Sequence, residues 1–376
     1  MSVDKLKHTV LGLAAVSLFL MSGAVLAEYP LNLTEGVTPT SHKVYELHMD
    51  ILYICTVIGI IVFSVMTWSI FHHRKSKGAV AAQFHHSTTA EIAWTVIPII
   101  ILVAMAIPAT KTLIFMEQTG DAEMTLKVTG YQWKWKYDYL DDDISFFSAL
   151  AQEDNEARQR GSGIDPSTID NYLKNVDNPI VLPVETKIRI LTTAADVIHA
   201  WWVPDLGWKR DAIPGFINDN WTYIEEPGVY RGKCTELCGK DHGFMPIVVH
   251  AVSKAEYATW VEEKKAELNA ANSGADMSMD ELMEKGKAVY AANCSSCHLA
   301  EGQGIDGLFP ALDGSAIVNG PASDHVSLVL AGKNLMPSFA PQLNDADIAA
   351  AITYERNSWS NGTGDMVQPS DVKAAR

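Results

Sequence analysis

Two stretches of the chain run uncharged for the length of a membrane crossing. Ile51–Ile70 and Ile92–Thr110 carry no Asp, Glu, Lys or Arg, and about 20 apolar residues in a helix span the ~30 Å hydrocarbon layer of a bilayer. Glu46 and Asp50 precede the first run, and His72-His-Arg-Lys-Ser-Lys77 follows it; Lys111 closes the second. The basic residues of the short loop, Arg74, Lys75 and Lys77, orient that loop to the cytoplasm. The prediction is a two-helix hairpin, within residues 28–120, with both ends outside. Pro98 and Pro108 fall in the second span, where neighbouring helices can satisfy the freed carbonyls. Residues 1–27 read as a secretory signal: Lys5 and Lys7, an apolar Leu11–Met21, then Val25-Leu-Ala27 as cleavage site. A retained extra anchor is the competing reading. Either way the mature chain starts outside the cytoplasm.

Beyond residue 121 the period falls to two. Met124-Thr-Leu-Lys-Val-Thr and Tyr131–Tyr139 alternate apolar with polar positions, as half-buried strands do. Ile180-Val-Leu, Lys187–Thr192, Val229–Lys233 and Ile247–Val252 are further short strands, with turns at Gly207, Pro214-Gly215 and Pro227-Gly228. Short strands punctuated in this way predict an all-β sandwich over 121–265. Asp141–Asp177 interrupts the pattern. It is acidic and poor in β-branched residues, which reads as a long exposed insertion with some helix: a solvated loop, or else a contact surface for another subunit or a donor. Lys254–Ala271 then turns helical and rich in Ala, Glu and Lys. Asn272-Ser-Gly-Ala breaks it, so a linker is placed at 266–279. An all-α unit is expected over 280–360, closed by a terminal helix, Asn344–Trp359, capped by Asn344 or Asp345. A loose tail is expected at 361–376.

Charge is unevenly spread. The chain carries a net −16; residues 1–120 balance, while 121–250 hold 21 acidic against 13 basic residues and 251–376 hold 17 against nine. An acidic exterior disfavours nucleic acid and suits either plain solubility or a basic docking partner. Of the five cysteines, Cys55 lies in the first apolar run and reads as a small buried hydrophobe. The other four form two spaced pairs, leaving none for a structural disulfide.

The first pair lies in Cys234-Thr-Glu-Leu-Cys-Gly-Lys-Asp-His-Gly-Phe-Met245, bounded by Gly232 and Pro246. Two thiols four apart fit a disulfide, a zinc site or a copper chaperone as well as an electron-transfer copper site. His242 and Met245 at these offsets change the picture, because thiolate and thioether are soft ligands that favour copper over magnesium, calcium or manganese. A second imidazole is available at His199, in Asp196-Val-Ile-His-Ala-Trp. Two thiolates, two imidazoles, a thioether and a carbonyl, that of Glu236, suffice for two copper ions bridged by both sulfurs.

The second pair is Cys294-Ser-Ser-Cys297-His298, at the end of a helical stretch. C-x-x-C-H is the attachment signal for c-type haem: Cys294 and Cys297 add across the vinyl groups and His298 reaches the iron. Met336, in Asn-Leu-Met-Pro-Ser-Phe, is the best second axial ligand. Met366, in the Gly-rich tail, is the weaker alternative. His with Met raises the potential of haem iron and leaves no open position for oxygen.

The spacing Cys-x-Glu-x-Cys-x-x-x-His-x-x-Met resembles the CuA ligand loop of cytochrome c oxidase subunit II, over residues 40–265, and 280–360 is similar to class I cytochrome c. Together they resemble the caa-type subunit II, in which the two are fused. The resemblance implies a multidomain membrane protein: a transmembrane hairpin, an all-β cupredoxin sandwich and an all-α class I cytochrome c domain. It implies a dinuclear CuA held by His199, Cys234, Glu236, Cys238, His242 and Met245. It also implies a magnesium bound by the Glu236 carboxylate with residues of subunit I, and covalent haem c whose axial His is oriented by the Pro310 carbonyl. Trp133, in Gly130-Tyr-Gln-Trp, would admit electrons above the copper site, although an aromatic stripe is also ordinary sheet packing. Glu91 would stand at the mouth of a proton path shared with subunit I, although an anion at a helix start is also a plain cap. The implied function is that of a subunit of a proton-translocating haem–copper oxidase in a bacterial inner membrane. It would carry electrons from an external donor such as a cytochrome c, through haem c and CuA, to the oxygen-reducing centre of subunit I, with subunit III nearby. The alternatives are a membrane-tethered copper–haem carrier serving another reductase, and a copper-delivery chaperone.

Overall fold

The computed structural model describes residues 32–376 apart from 81–82, 84, 160 and 272–273. The expected signal at 1–27 lies outside the described residues. Two units emerge, one holding most of the membrane-type hairpin and the other everything from Thr110 onward together with Val37–Thr40.

The hairpin consists of α1 (Pro39–His72) and α2 (Thr88–Met116), whose apolar windows bury no residue within the chain. Both run past the uncharged stretches, because a helical backbone satisfies itself whatever its side chains. At 1.5 Å per residue, 34 and 29 residues reach roughly 51 and 44 Å, so polar ends extend beyond the hydrocarbon. Cys55 is exposed on α1, not buried as expected: it lies in the apolar stretch of the helix, which the described residues leave uncovered.

The outer unit begins with two five-stranded sheets. The first orders its strands β3-β2-β1-β5-β8 and the second β4-β10-β9-β6-β7. These are β1 (Met124–Tyr131), β2 (Lys134–Tyr139), β3 (Ile144–Ser148), β4 (Ile180–Pro183), β5 (Lys187–Ala194), β6 (His199–Val203), β7 (Trp208–Ala212), β8 (Asn218–Tyr223), β9 (Gly228–Cys234) and β10 (Pro246–Val252). Alternation decides the core: β5 buries every second residue, and Leu126, Trp135, Tyr137, Ile188 and Ile190 join Trp201, Val203 and Ile247 between the sheets. This is the cupredoxin-like sandwich. The stretch Tyr131–Tyr139 is two strands rather than one. It reverses at Gln132-Trp133, with Tyr131 opposite Lys134, because both turn side chains are tied to the loop after β9.

Asp141–Asp177 is a solvated loop only in part, over the exposed residues 161–168. It contributes β3, paired in register with β2, and α3 (Gln152–Ala157), which buries Asp154, Asn155 and Ala157. The Asp154 carboxylate accepts from the Leu173 amide and from Asn175 Nδ2, closing the segment on itself. Next, α4 (Lys254–Ala271) lays Tyr257, Trp260 and Leu268 on the sandwich. It occupies 266–271, so the expected linker is shorter at its start.

The helical domain crosses α5 (Met279–Asn293) against α8 (Asp345–Asn357), with α6 (Ser295–His298) and α7 (Ala322–Ala331) between them in sequence. The crossing is tight at Gly286, where a Cβ would meet the Ala350 carbonyl at 2.2 Å. A capping box of Ser278 and Glu281 starts α5, and the Asn344 side chain caps α8. The 361–376 tail is not loose: α9 (Pro369–Ala375) follows α8, and Val367 and Val372 are buried.

Candidate functional site

All six donors of the first centre meet at one end of the sandwich. β9 delivers Cys234 at its last residue and β6 delivers His199 at its first; a short turn at His242–Phe244 precedes Met245 and β10. His199 Nδ1, Cys234 Sγ, Cys238 Sγ and His242 Nδ1 follow one another at 3.9, 3.8 and 3.4 Å. Met245 Sδ is 3.5 Å from Cys238 Sγ, and the Glu236 carbonyl oxygen is 3.4 Å from Cys234 Sγ. The sulfurs stand far beyond the ~2.05 Å of a disulfide, and both thiols are free. Ligands ~2.0–2.3 Å from a shared tetrahedral ion lie roughly 3.5 Å apart, so these separations fit cations held between the donors. His199, Cys234, Cys238 and Met245 are buried, and His242 is half-buried.

The electrostatics ask for positive charge. The Cys234 thiol is held down to about 4, first by the hydrogen bond from Cys238, then, against its burial, by His199 and backbone groups. Cys238 is pushed up, first by its bond to Cys234, then by burial and by the Cys234 charge. Ionisation of one sulfur therefore opposes ionisation of the other, and a bound cation favours both thiolates. His199 Nε2 bonds Asp196 Oδ1 at 2.9 Å, which aims Nδ1 at the sulfurs. Burial pulls the His199 pKa down, but Asp196 and Cys234 win and raise it. Asp196 also accepts from the Gln132 amide at 2.7 Å. The Cys238 carbonyl takes two further bonds, from Gln132 Nε2 at 2.8 Å and Trp133 Nε1 at 3.1 Å. Gly130 lets His199 in: a Cβ there would lie 2.6 Å from the imidazole ring. Sequence reasoning named Trp133 but missed Asp196 and Gln132. The signals were an acid three residues before a ligand histidine, and a Gly-x-Gln-Trp run.

The second centre is partly assembled. Cys294 ends α5, Cys297 and His298 lie in α6, and His298 Nδ1 bonds the Pro310 carbonyl at 2.8 Å, so the other ring nitrogen, Nε2, is not used in that bond. Met336 is half-buried and packs on the cluster of Leu282, Val329 and Ile352, whereas Cys294 packs on a separate cluster of Tyr290, Leu312 and Val318. Met366 is 48% exposed. A haem bonded at Cys294 and ligated by Met336 would join the two clusters, so the residues fit the group. Glu91 sits in the first turn of α2, with its carboxylate accepting from the Ser87 amide at 3.3 Å.

Comparison with known proteins matches the hairpin, the sandwich and the helical domain in turn. Residues 124–252 match the model described as "Cytochrome C oxidase subunit II, periplasmic domain", and 27–112 match its transmembrane domain. Residues 281–354 match "Cytochrome C oxidase, cbb3-type, subunit III", so the helical domain is a cytochrome c domain of that kind. The probable cytochrome c oxidase subunit 2 of Rickettsia bellii is 39% identical over 70% of this chain and 95% of its own length. Cytochrome c oxidase subunit 2 of Oenothera berteroana is 38% identical over 62% and 89%. The solved periplasmic domain of subunit II of cytochrome oxidase from Bradyrhizobium japonicum is 41% identical over 40% of this chain and 99% of that one, with a TM-score of 0.35. Copper chemistry at one end of a periplasmic sandwich, a C-x-x-C-H helix behind it and a membrane hairpin before it have one common explanation: the chain belongs to the cytochrome c oxidase subunit II family, with a cytochrome c domain fused at its C-terminus.

Proposed function

We propose that His199, Cys234, the Glu236 carbonyl, Cys238, His242 and Met245 hold the dinuclear copper of this oxidase subunit, and that Cys294, Cys297, His298 and Met336 hold its haem c. When bound, the copper pair and the haem each accept and release one electron, the chemistry that subunit II supplies between an external donor and the oxygen-reducing, proton-translocating subunit I. The observation that carries the reading is the row of four nitrogen and sulfur donors spaced at 3.4–3.9 Å, with a thioether and a carbonyl beside them. Asp196 fixes the His199 tautomer, and Pro310 fixes that of His298. Gln132 and Trp133 hold the Cys238 carbonyl, so the loop does not need to reorganise when its charge changes.

Leu237 is 78% exposed and Ile198 45%, each beside a ligand. Exposed apolar residues at the mouth of a buried site suit a protein partner, and we assign that face to subunit I. The half-buried Glu236 carboxylate would complete a magnesium site there with groups from subunit I. Glu91 would serve a proton path shared with the same subunit, and Trp133 would admit electrons. Subunit III is a further neighbour, and the acidic outer surface suits a basic cytochrome c as donor. We assign the chain to a bacterial inner membrane, a reading that the two apolar helices support, with both redox domains on the periplasmic side.

The test is elemental analysis and an optical spectrum of the purified full chain. Two coppers per covalent haem, with a mixed-valence copper band, is the expected result. Zinc, or a single copper per haem, refutes the assignment.

A further inference from the structure

The segment Asp141–Asp177 touches both redox loops at once. Asn155 of α3 is buried; its Nδ2 donates to the Ala291 carbonyl at 2.5 Å and to Ser295 Oγ at 3.3 Å, both at the haem-attachment turn. Its Oδ1 accepts from Arg158 Nε at 2.6 Å. Arg158 in turn pairs with Asp241 of the copper loop at 3.3 Å and lies over the Phe244 ring at 4.3 Å. Glu156 adds a pair with Lys287 of α5 at 3.0 Å. From the other side, Lys240, between Cys238 and His242, donates to the Ser296 carbonyl at 2.7 Å, and Ser296 lies between the two haem-attaching thiols. Trp133, Asp241, Phe244, Ala291 and Ser296 line a shared cavity of about 20 Å³, room for about one water. The two loops are therefore in van der Waals reach, and the side chains that hold them there come largely from this segment.

We propose that Asp141–Asp177 is a docking arm that seats the chain's own haem domain on the Trp133 face of the sandwich. The proposal rests on the assignment of the two centres above. One electron leaves ferrous haem and is gained by the copper pair; no bond forms or breaks and no proton moves. A tethered and seated donor makes the step intramolecular, with the high effective concentration that this brings.

Asn155→Asp in the intact oxidase complex tests it, because the isosteric carboxylate keeps the Arg158 contact and loses both donors to the haem turn. Copper and haem content are measured first. With both unchanged, amide exchange over 152–158 is expected to accelerate at least tenfold, and haem-to-copper transfer after photoreduction to slow at least tenfold. Lys287→Glu, made on the haem-domain side, provides a second variant that leaves the sandwich untouched, with the same changes in smaller measure. Exchange and transfer both at the unaltered protein's rates, in fully loaded variants, would overturn the docking arm. A wrong copper-to-haem ratio in the unaltered protein would instead sink the assignment beneath it.

Discussion

At the copper loop six donor groups are brought together by protein contacts alone, in steps of 3.4–3.9 Å. At the haem turn only one ligand is held in advance, His298 by Pro310. The cores behind them differ in the same sense. The sandwich packs one continuous cluster that reaches from Met124 to Ala251 and includes Cys234, Cys238 and Met245. The helical domain divides its buried residues into two smaller clusters, with Cys294 on one and Met336 on the other. The sheets thus make a rigid frame into which ions fit, whereas the helices need a large apolar group to complete their core. Rigidity suits a site whose ligands must barely move as charge comes and goes. Covalent attachment suits a group that is itself part of the packing.

The largest effects should come from removing each group. Cys238→Ser is expected to abolish the mixed-valence two-copper signal while leaving the haem c spectrum and the sandwich's far-UV dichroism intact. Loss of sheet signal along with the copper would break the comparison. Removing the haem by Cys294→Ala with Cys297→Ala is expected to make residues 280–376 protease-sensitive while 124–252 stays resistant. A helical domain equally resistant without its haem would show that the two clusters suffice alone.

How far the sequence revealed these two regions follows from the physics of each. The donors proposed for both centres could all be named from the sequence, because metal ligands and haem attachment demand fixed residue types at fixed spacings. Strands with one covered face were legible through alternation, as in β5. By contrast, β6 reads His-Ala-Trp-Trp-Val and is buried on nearly every residue, so no period marks it. β7 carries Lys209, Arg210 and Asp211 in a row and hides as a loop; a 2.6 Å Lys209–Asp211 contact accompanies the strand. The acidic segment misled because composition reports solvation only where nothing else satisfies the charge. Asp154 is buried because the Leu173 amide and Asn175 satisfy it, and such partners are set by tertiary folding. The C-terminal tail misled through its glycines, while Val367 and Val372 anchor it.

Intermediate effects should come from the groups that orient ligands. Asp196→Asn keeps the shape but removes the charge facing His199 Nε2. Copper affinity is expected to fall about 10–100-fold, read by competition with a chelator, with the haem untouched. At the other centre, Met336→Ala is expected to leave the haem attached and lower its potential on the order of 0.1 V, within the ~0.8 V that axial ligands span. Met366→Ala should leave it where it was. The reverse pattern would move the axial ligand to the tail and make the haem site still less organised by its own fold.

The smallest effect concerns the seam between the two regions, and it depends on pH. Lys134, the first residue of β2, is 4% exposed and donates to Asn293 Oδ1 at 2.5 Å, a neutral partner on α5. Burial pushes its pKa from 10.5 down to about 8, and the neighbouring Cys294, then Asp177, Asp347 and Asp196, only partly oppose this. Asp177 is itself pushed up to about 6, chiefly by burial. With the domains apart Lys134 is hydrated and titrates near its ordinary value, so the seated form binds fewer protons between those two pKa values. Seating is then disfavoured below pH 8, where the buried ammonium is charged, and gains on the order of 1–3 kcal/mol as pH rises toward 10. Lys134→Met keeps the apolar stem and removes the charge, so it should flatten this rise. The measurement is the denaturant midpoint of the helical domain at about pH 7 and about pH 9.5 in both chains. Parallel curves would mean that Lys134 is already solvated at the seam, and that the sandwich and the haem domain meet less closely than Lys240 and Asn155 indicate.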